Sequence, residues 1–530
     1  MTRTPHLRGD TDAAPQTGRR RRITKGTRAT HHRRDATTAP TFFIRTLGCK
    51  VNRAESEAIA ASLIDAGWQP SATATCDLAI LNTCTVTAEA DAKCRKALRA
   101  LIRDDPARIV VTGCAVRVSP DAWSDIDGRI TIATRTDDIG AVARIVEGKA
   151  PANAQPAGHG TEHETLPDGQ RAAHAKETSH PLAASDGSPA GSSDRTPAAR
   201  PAGNEGAALH ATRDPKVFRT RVDVKIQDGC DHACTYCIVH IARGPARSVC
   251  EDDVIRAVAD LAAEGTPEVV LVGIDIGAYD GRARTTPPPS GPHTAREDAY
   301  ASETVPHATC DLATLCTHLL EETDIPRLRL SSLEPESVTH ELLDVIASSK
   351  GRICRHLHLC LQSGSDKVLS EMARPYAAGE FVSLVKEARE RIDGLALSTD
   401  VIVGFPGETK EDFRATCEVV EECGFMRVHV FSYSKRTGTP AAARPDQVPP
   451  DITTARLREL VALAGRLAEA DARSRVGSTE LVVVERGGRG TSESYHSVVF
   501  NDEVKCGELV EARLASWDAE GRAFRGIPLH

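Results

Sequence analysis

Short apolar runs alternate with helical periodicity along two long blocks of the chain. In residues 41–149 the runs FFIRTL (42–47), DLAILN (77–82) and RIVVTG (108–113) are separated by helical patterns near 52–66 and 88–103. Such alternation predicts parallel strands joined by crossover helices, an open parallel α/β domain. The block from about 218 to 445 repeats the alternation six times. Its predicted strands are RVDVKI (221–226), EVVLVG (268–273), RLRLSS (327–332), HLHLCL (356–361), LALSTDVIV (395–403) and RVHVFSY (427–433), with helices near 251–264, 337–349, 378–391 and 409–423. Six β–α units predict a partial (β/α)6 barrel, with a doubly wound sheet as the alternative. A helix over 451–475 then leads to residues 476–530. There TELVVVER, SYHSVVF and GELVEARL alternate with no helix between them, which predicts a small all-β barrel or sandwich.

Composition marks the breaks. Residues 1–40 hold ten Lys/Arg against three Asp/Glu and read as a disordered basic arm. Between 151 and 210 there are three Leu and no other large apolar residue, so 150–216 reads as a linker that cannot offset its own ordering entropy. The stretch 282–307, with TTPPPSGP, reads as an insertion in the barrel block (217–450). The net charge of −8 excludes a broad basic field. No apolar run approaches the roughly 18 residues of a membrane span, and the basic N-terminus lacks the apolar segment of a secretory signal. A cytoplasmic protein with no membrane partner is the expectation, and its sixteen cysteines should mostly be thiols.

Spacing divides those cysteines. Cys230, Cys234 and Cys237 form C-x3-C-x2-C directly after a predicted strand. Chance produces this spacing in about one such chain in a hundred. Three thiolates on a tight loop suit a soft metal centre, and three ligands leave one iron of a 4Fe–4S cube open. A structural zinc site, or a closed cluster with Cys250 or another thiol as fourth ligand, has the same spacing. Position favours chemistry, because the loop sits at the carboxyl end of the first barrel strand. Cys49, Cys84 and Cys114 are far apart in sequence, yet each ends a predicted strand, in TLGCKVN, LNTCTVT and VTGCAVR. Parallel neighbouring strands would bring them to one sheet edge, although three unrelated buried cysteines would look the same. Cys76 and Cys94 are read as bystanders.

The loop C-x3-C-x-aromatic-C, with Tyr236 in the aromatic place, resembles the radical S-adenosylmethionine (SAM) enzymes. VGIDIGAYDG (272–281), SSLEPE (331–336), HLHLCLQSGSDKVL (356–369), TDVIVGFPGET (399–409) and YSKRTGTPAA (433–442) resemble successive segments of the methylthiotransferase branch. LGCKVN, NTCTVT and VTGC resemble the N-terminal domain of that branch. The resemblance implies two 4Fe–4S clusters, held by Cys230, Cys234 and Cys237 and by Cys49, Cys84 and Cys114. The first would chelate SAM and cleave it to methionine and a 5′-deoxyadenosyl radical, and the second would carry or donate sulfur. Ala-Val-Arg after Cys114 departs from the aromatic-Ala-Gln type sequence of relatives. Gly404 and Gly407 of the Gly-Phe-Pro-Gly-Glu turn would contact SAM through their backbone, or only join strand to helix; Gln362 and Ser363 would hydrogen-bond SAM, or only start the next helix; Asp275 and Glu334 lie on the same predicted face.

The motifs resemble most closely the threonylcarbamoyladenosine tRNA methylthiotransferases. That implies replacement of C–H by C–SCH3 at C2 of the modified adenine beside the anticodon. Isopentenyladenosine in tRNA or a ribosomal-protein aspartate are alternative substrates, and a non-catalytic metal-containing RNA-binding protein is the alternative from another class. An aromatic C–H has no useful acidity, so no catalytic acid–base residue is nominated. The implied partners are tRNA, an electron donor and a sulfur source. The C-terminal block resembles a TRAM domain, and the stretch Lys93, Arg95, Lys96, Arg99, Arg103 is either a solvated face or an RNA phosphate contact.

Overall fold

A computed structural model describes residues 39–134, 219–281, 310–501 and 504–529. The expected arm up to residue 38, the linker over 150–216 and the insertion over 282–307 lie outside the described residues.

The N-terminal sheet is parallel and five-stranded, in the order Gln69–Pro70, Thr41–Thr46, Leu78–Thr83, Arg108–Gly113, Ile130–Ala133. Helices cover both faces, which is why Leu78–Thr83 is buried at every position and reads as a continuous apolar run. On one face Ile59, Ala60 and Leu63 of helix Lys50–Asp65 pack on Phe42, Leu78, Ile80 and Val110. On the other, Cys94, Leu98 and Leu101 of helix Ala88–Arg103 pack on Leu81, Ile109 and Val111. Thr87 starts that second helix by accepting the Ala90 amide at 3.1 Å, with Glu89 and Asp91 in the first turn.

The central strands are also parallel. Arg221–Lys225, Glu268–Val272 and Leu328–Leu330 form one sheet; Ser332–Leu333, His356–Leu359, Ala396–Val403 and Arg427–Ser432 form the next. A single break at Ser331 separates two pieces of one predicted strand, so six stations follow each other around an incomplete barrel. Helices Glu251–Ala263, Leu312–Glu322, His340–Ser348, Ala378–Arg391 and Lys410–Cys423 contribute to the large apolar core of this block.

Alternation alone would send Arg327 and Arg329 of RLRLSS to solvent. Both are fully buried instead. Each donates to Glu268, at 2.6 Å and 2.9 Å, and each caps carbonyls of the C-terminal barrel: Leu481 and Thr491 for Arg327, Ser492 and Glu493 for Arg329. The C-terminal module reached by helix Pro450–Ser474 is a closed five-stranded barrel, in the order Thr479–Glu485, Arg489–Ser492, Ser497–Phe500, Ala523–Pro528, Leu509–Asp518. Two of its strands, Arg489–Ser492 and Ala523–Pro528, carry too little apolar alternation to be read from sequence.

Candidate metal centres

Parallel pairing brings the carboxyl ends of the first, third and fourth N-terminal strands side by side. Leu47 donates to the carbonyl of Asn82, and Thr83 is registered against Gly113. Cys49, Cys84 and Cys114 therefore gather at one edge. Cys49 sits at the start of helix Lys50–Asp65 and donates to Asn52 Oδ1 at 3.2 Å, while Cys84 and Cys114 are buried. Two glycines make the approach feasible. Gly48 has φ +130°, and a Cβ there would meet Asn52 and Cys84; Gly113 has φ +97° and its Cβ would meet the Thr83 backbone.

The thiols feel one another. Burial pushes Cys114 up to about 11, the Arg243 guanidinium opposes this, and Cys49 adds to the rise. Cys84 is raised by burial and then by Cys49 and Cys94. Buried thiols that repel each other's ionisation are a poor resting arrangement for thiolates by themselves. They suit thiolates sharing iron, whose positive charge inverts the repulsion.

The second trio lies on the loop after strand Arg221–Lys225. Gly229 (φ +73°) turns the chain where a Cβ would strike Pro245, and the Cys237 amide closes a tight turn on the Cys234 carbonyl at 3.0 Å. Thr235 is pinned by its amide to the Met372 carbonyl and by its hydroxyl to the Glu371 carbonyl. Burial pushes Cys230 up to about 12, with Asp275, Cys234 and Cys237 adding to it. Asp275 pairs with His232 through one oxygen at 3.3 Å, and its other oxygen is buried without a hydrogen-bond partner. Cys230, His232 and Asp275 present ligand atoms within 4.8 Å of one another. Buried Arg374 donates to Cys234 Sγ at 3.3 Å and forms an ion pair with Glu334. Asp275 and Glu334 therefore both stand beside this loop.

Two connections tie the trios together. Arg243 ends the short helix Val239–Arg243 that follows Cys237, and its side chain is buried. Its Nε donates to Cys114 Sγ at 3.2 Å, and its Nη1 donates to Glu55 at 2.7 Å and Asp228 at 2.9 Å. With a rise of 1.5 Å per residue and one arginine side chain between them, the trios lie within roughly 20 Å of each other. On the other side, Arg436 donates to Thr85 at 2.6 Å and pairs with Asp91 at 2.7 Å, while Ser434 accepts the Ala88 amide. Five residues on, the Ala441 amide bonds the Thr235 carbonyl of the barrel loop. The segment resembling YSKRTGTPAA thus touches both cysteine groups.

The remaining sequence candidates separate. Tyr236 packs against the apolar cluster of Val368, Met372, Phe405 and Ala441, which includes Phe405 of the Gly404–Gly407 turn. The turn's own amides are engaged: Gly404 and Phe405 donate to the Glu408 carboxylate and Gly407 to the Asp446 carbonyl. Gln362 adopts φ +61° and bridges to Val401, whereas the Ser363 hydroxyl faces Thr416 and the start of the following helix. In the basic stretch, Lys93 pairs with Glu89 and Arg95 lies over the Trp123 ring at 4.8 Å. Cys94 is fully buried and accepts the Cys84 amide at 3.3 Å, so it supports the first trio's loop. Sequence reasoning missed Arg243, Glu55 and Arg374. Their partners are up to 188 positions away, and no local pattern announces such pairs.

Comparison with known proteins follows the same division. Residues 41–133 match the "Uncharacterized protein family UPF0004" and residues 224–420 match the "Radical SAM superfamily". The chain is 32% identical over 497 residues to the threonylcarbamoyladenosine tRNA methylthiotransferase MtaB of Bacillus subtilis, covering 89% of this chain and 93% of that protein. It is 31% identical over 491 residues to the tRNA-2-methylthio-N(6)-dimethylallyladenosine synthase of Corynebacterium urealyticum, covering 89% of this chain and 80% of that one.

Proposed function

The chain belongs to the radical SAM methylthiotransferases, and from that premise we propose that it methylthiolates C2 of N6-threonylcarbamoyladenosine beside the anticodon of tRNA. The observation that supports this most strongly is the double tie between the cysteine groups, by Arg243 on one side and the 433–442 segment on the other. A reaction that draws sulfur at one centre and a radical at the other requires both to face one chamber.

Cys230, Cys234 and Cys237 would hold one 4Fe–4S cluster, and Cys49, Cys84 and Cys114 the other. When bound, the clusters and SAM supply the electron, the hydrogen-abstracting radical, the sulfur and the methyl group that no side chain can provide. The protein's share is position and shielding. Arg374 and Arg243 each aim a guanidinium at one thiol of a trio, and each is held in turn by carboxylates. Such charge-assisted bonds favour the thiolate and orient it. Asp275, with a buried unpartnered oxygen beside Cys230, would accept a cationic group of SAM.

Nucleoside mass spectrometry of tRNA tests the substrate. A strain lacking the gene should lose 2-methylthio-N6-threonylcarbamoyladenosine and accumulate its unthiolated precursor, and restoring the gene should reverse both. The second reading, thiolation of dimethylallyladenosine, is favoured by the similarity to the Corynebacterium enzyme. Loss of that nucleoside instead would select it.

A further inference from the structure

A cavity of about 360 Å³ opens where three parts of the chain meet. Lys50 and Arg53 reach it from the first N-terminal helix, Arg219 and Arg221 from the start of the first barrel strand, and Arg486 and Tyr495 from the C-terminal barrel. Five cationic side chains line it against two carboxylates, Asp223 and Glu485. Those carboxylates are engaged, Asp223 by Arg53 at 2.9 Å and Glu485 by Arg221 at 2.8 Å. Among the described residues Lys50 has no ion-pair partner. Its ammonium lies 5.5 Å from the centre of the Tyr495 ring.

Tyr495 is built into this place at some cost. Its φ of +69° is left-handed, a backbone strain for an aromatic residue that the surroundings must hold. The ring packs, tilted, against His356 at 4.7 Å between centroids and is ringed by Arg329, Arg427 and Arg221, at 4.8 Å, 5.6 Å and 5.8 Å. Burial alone would raise its phenol, yet Lys50, Arg221, Arg329 and Arg427 together outweigh burial and lower it. With Asp223 and Glu485 taken by Arg53 and Arg221, the cations Lys50, Arg219 and Arg486 give the cavity a positive potential, with guanidinium forks suited to an oxyanion.

We propose that this junction binds a phosphate group of the substrate RNA backbone, held by Lys50, Arg219 and Arg486 and braced by Tyr495. The inference rests on the tRNA reading given above and adds a contact point to it. Lys50 directly follows Cys49, so a phosphate here would anchor the RNA one residue from the first cysteine trio, while touching all three parts of the enzyme. The chain's negative total charge makes such local contacts the means of holding a polyanion.

Anisotropy titration of labelled tRNA against the full chain, without turnover and over a range of salt, tests this. Arg219→Gln and Arg486→Gln alter exposed rim positions, and Lys50→Gln is compared with them at equal iron content. Each should weaken binding several-fold and make the slope of log K against log salt shallower by about one. In parallel, tRNA should shield Lys50 from acetylation, read by peptide mass spectrometry, with inorganic phosphate as the small-anion probe. Wild-type binding with unchanged affinity and slope in all three variants overturns the pocket alone. Shielding by inorganic phosphate but not by tRNA also overturns it, in favour of a small-anion site. A wild-type chain that binds no tRNA overturns both this inference and the tRNA reading.

Discussion

Replacing Arg243 with leucine should loosen the junction between the cysteine groups without touching a cysteine. The guanidinium donates to Cys114, Glu55 and Asp228, and all three partners are buried. In the variant the Glu55 and Asp228 carboxylates keep Lys225, at 3.5 Å and 3.4 Å. They lose the buried cation that lies between them. Removing one partner of a buried pair costs about 3–5 kcal/mol, because the other charge stays desolvated. Glu55 belongs to helix Lys50–Asp65, so the cost falls on the docking of that helix against the barrel. At 1.36 kcal/mol per tenfold, amides of this helix should lose at least roughly 100-fold of their hydrogen-exchange protection. Helix Ala378–Arg391, elsewhere in the barrel, serves as the unaffected reference. Arg243→Lys keeps the charge without the fork and should fall between the two. Less than a tenfold change in Arg243→Leu would refute the latch and, with it, one of the two ties between the trios.

Other consequences are independent of that latch. Cys230→Ala should abolish SAM cleavage, whereas Cys49→Ala should leave cleavage uncoupled from thiolation; both are read by chromatography of 5′-deoxyadenosine and modified nucleoside. Glu268→Gln leaves Arg327 and Arg329 facing a neutral amide, so urea unfolding should show a loss of about 3–5 kcal/mol. The wild-type carboxyl is pulled down to about 2 by Arg327 and Arg329 against its burial. Its contribution is therefore complete above the unfolded value near 4.5 and lost as pH falls toward 2. Proteolysis should accordingly find the C-terminal barrel docked at pH 5 and released only in stronger acid. Asp275→Asn should weaken SAM binding about tenfold by equilibrium dialysis while leaving the iron content unchanged.

What the sequence disclosed followed from periodicity and spacing. LNTC, VTGC and the loop after RVDVKI each put cysteine where a parallel strand ends, so convergence could be argued before any coordinates. Arg327 and Arg329 show the limit of that reasoning. An Arg-Leu-Arg-Leu run predicts a solvated face, but Glu268 and the carbonyls of a distant barrel turn the same side inward. Arg243 was illegible for a related reason. It ends an ordinary short helix, and its meaning depends on Cys114 and Glu55, 129 and 188 positions away. The Glu408 carboxylate that accepts the Gly404 and Phe405 amides was legible only as part of the Gly-Phe-Pro-Gly-Glu turn, not as its internal anchor.

Mössbauer spectroscopy of chain reconstituted with enriched iron tests the central claim most directly. The account predicts two 4Fe–4S clusters, about eight irons, with one cluster remaining when either cysteine trio is replaced by alanine. On adding SAM, a single iron of the Cys230–Cys234–Cys237 cluster should change its spectrum. One cluster in the intact chain, or SAM leaving every iron unchanged, would contradict it.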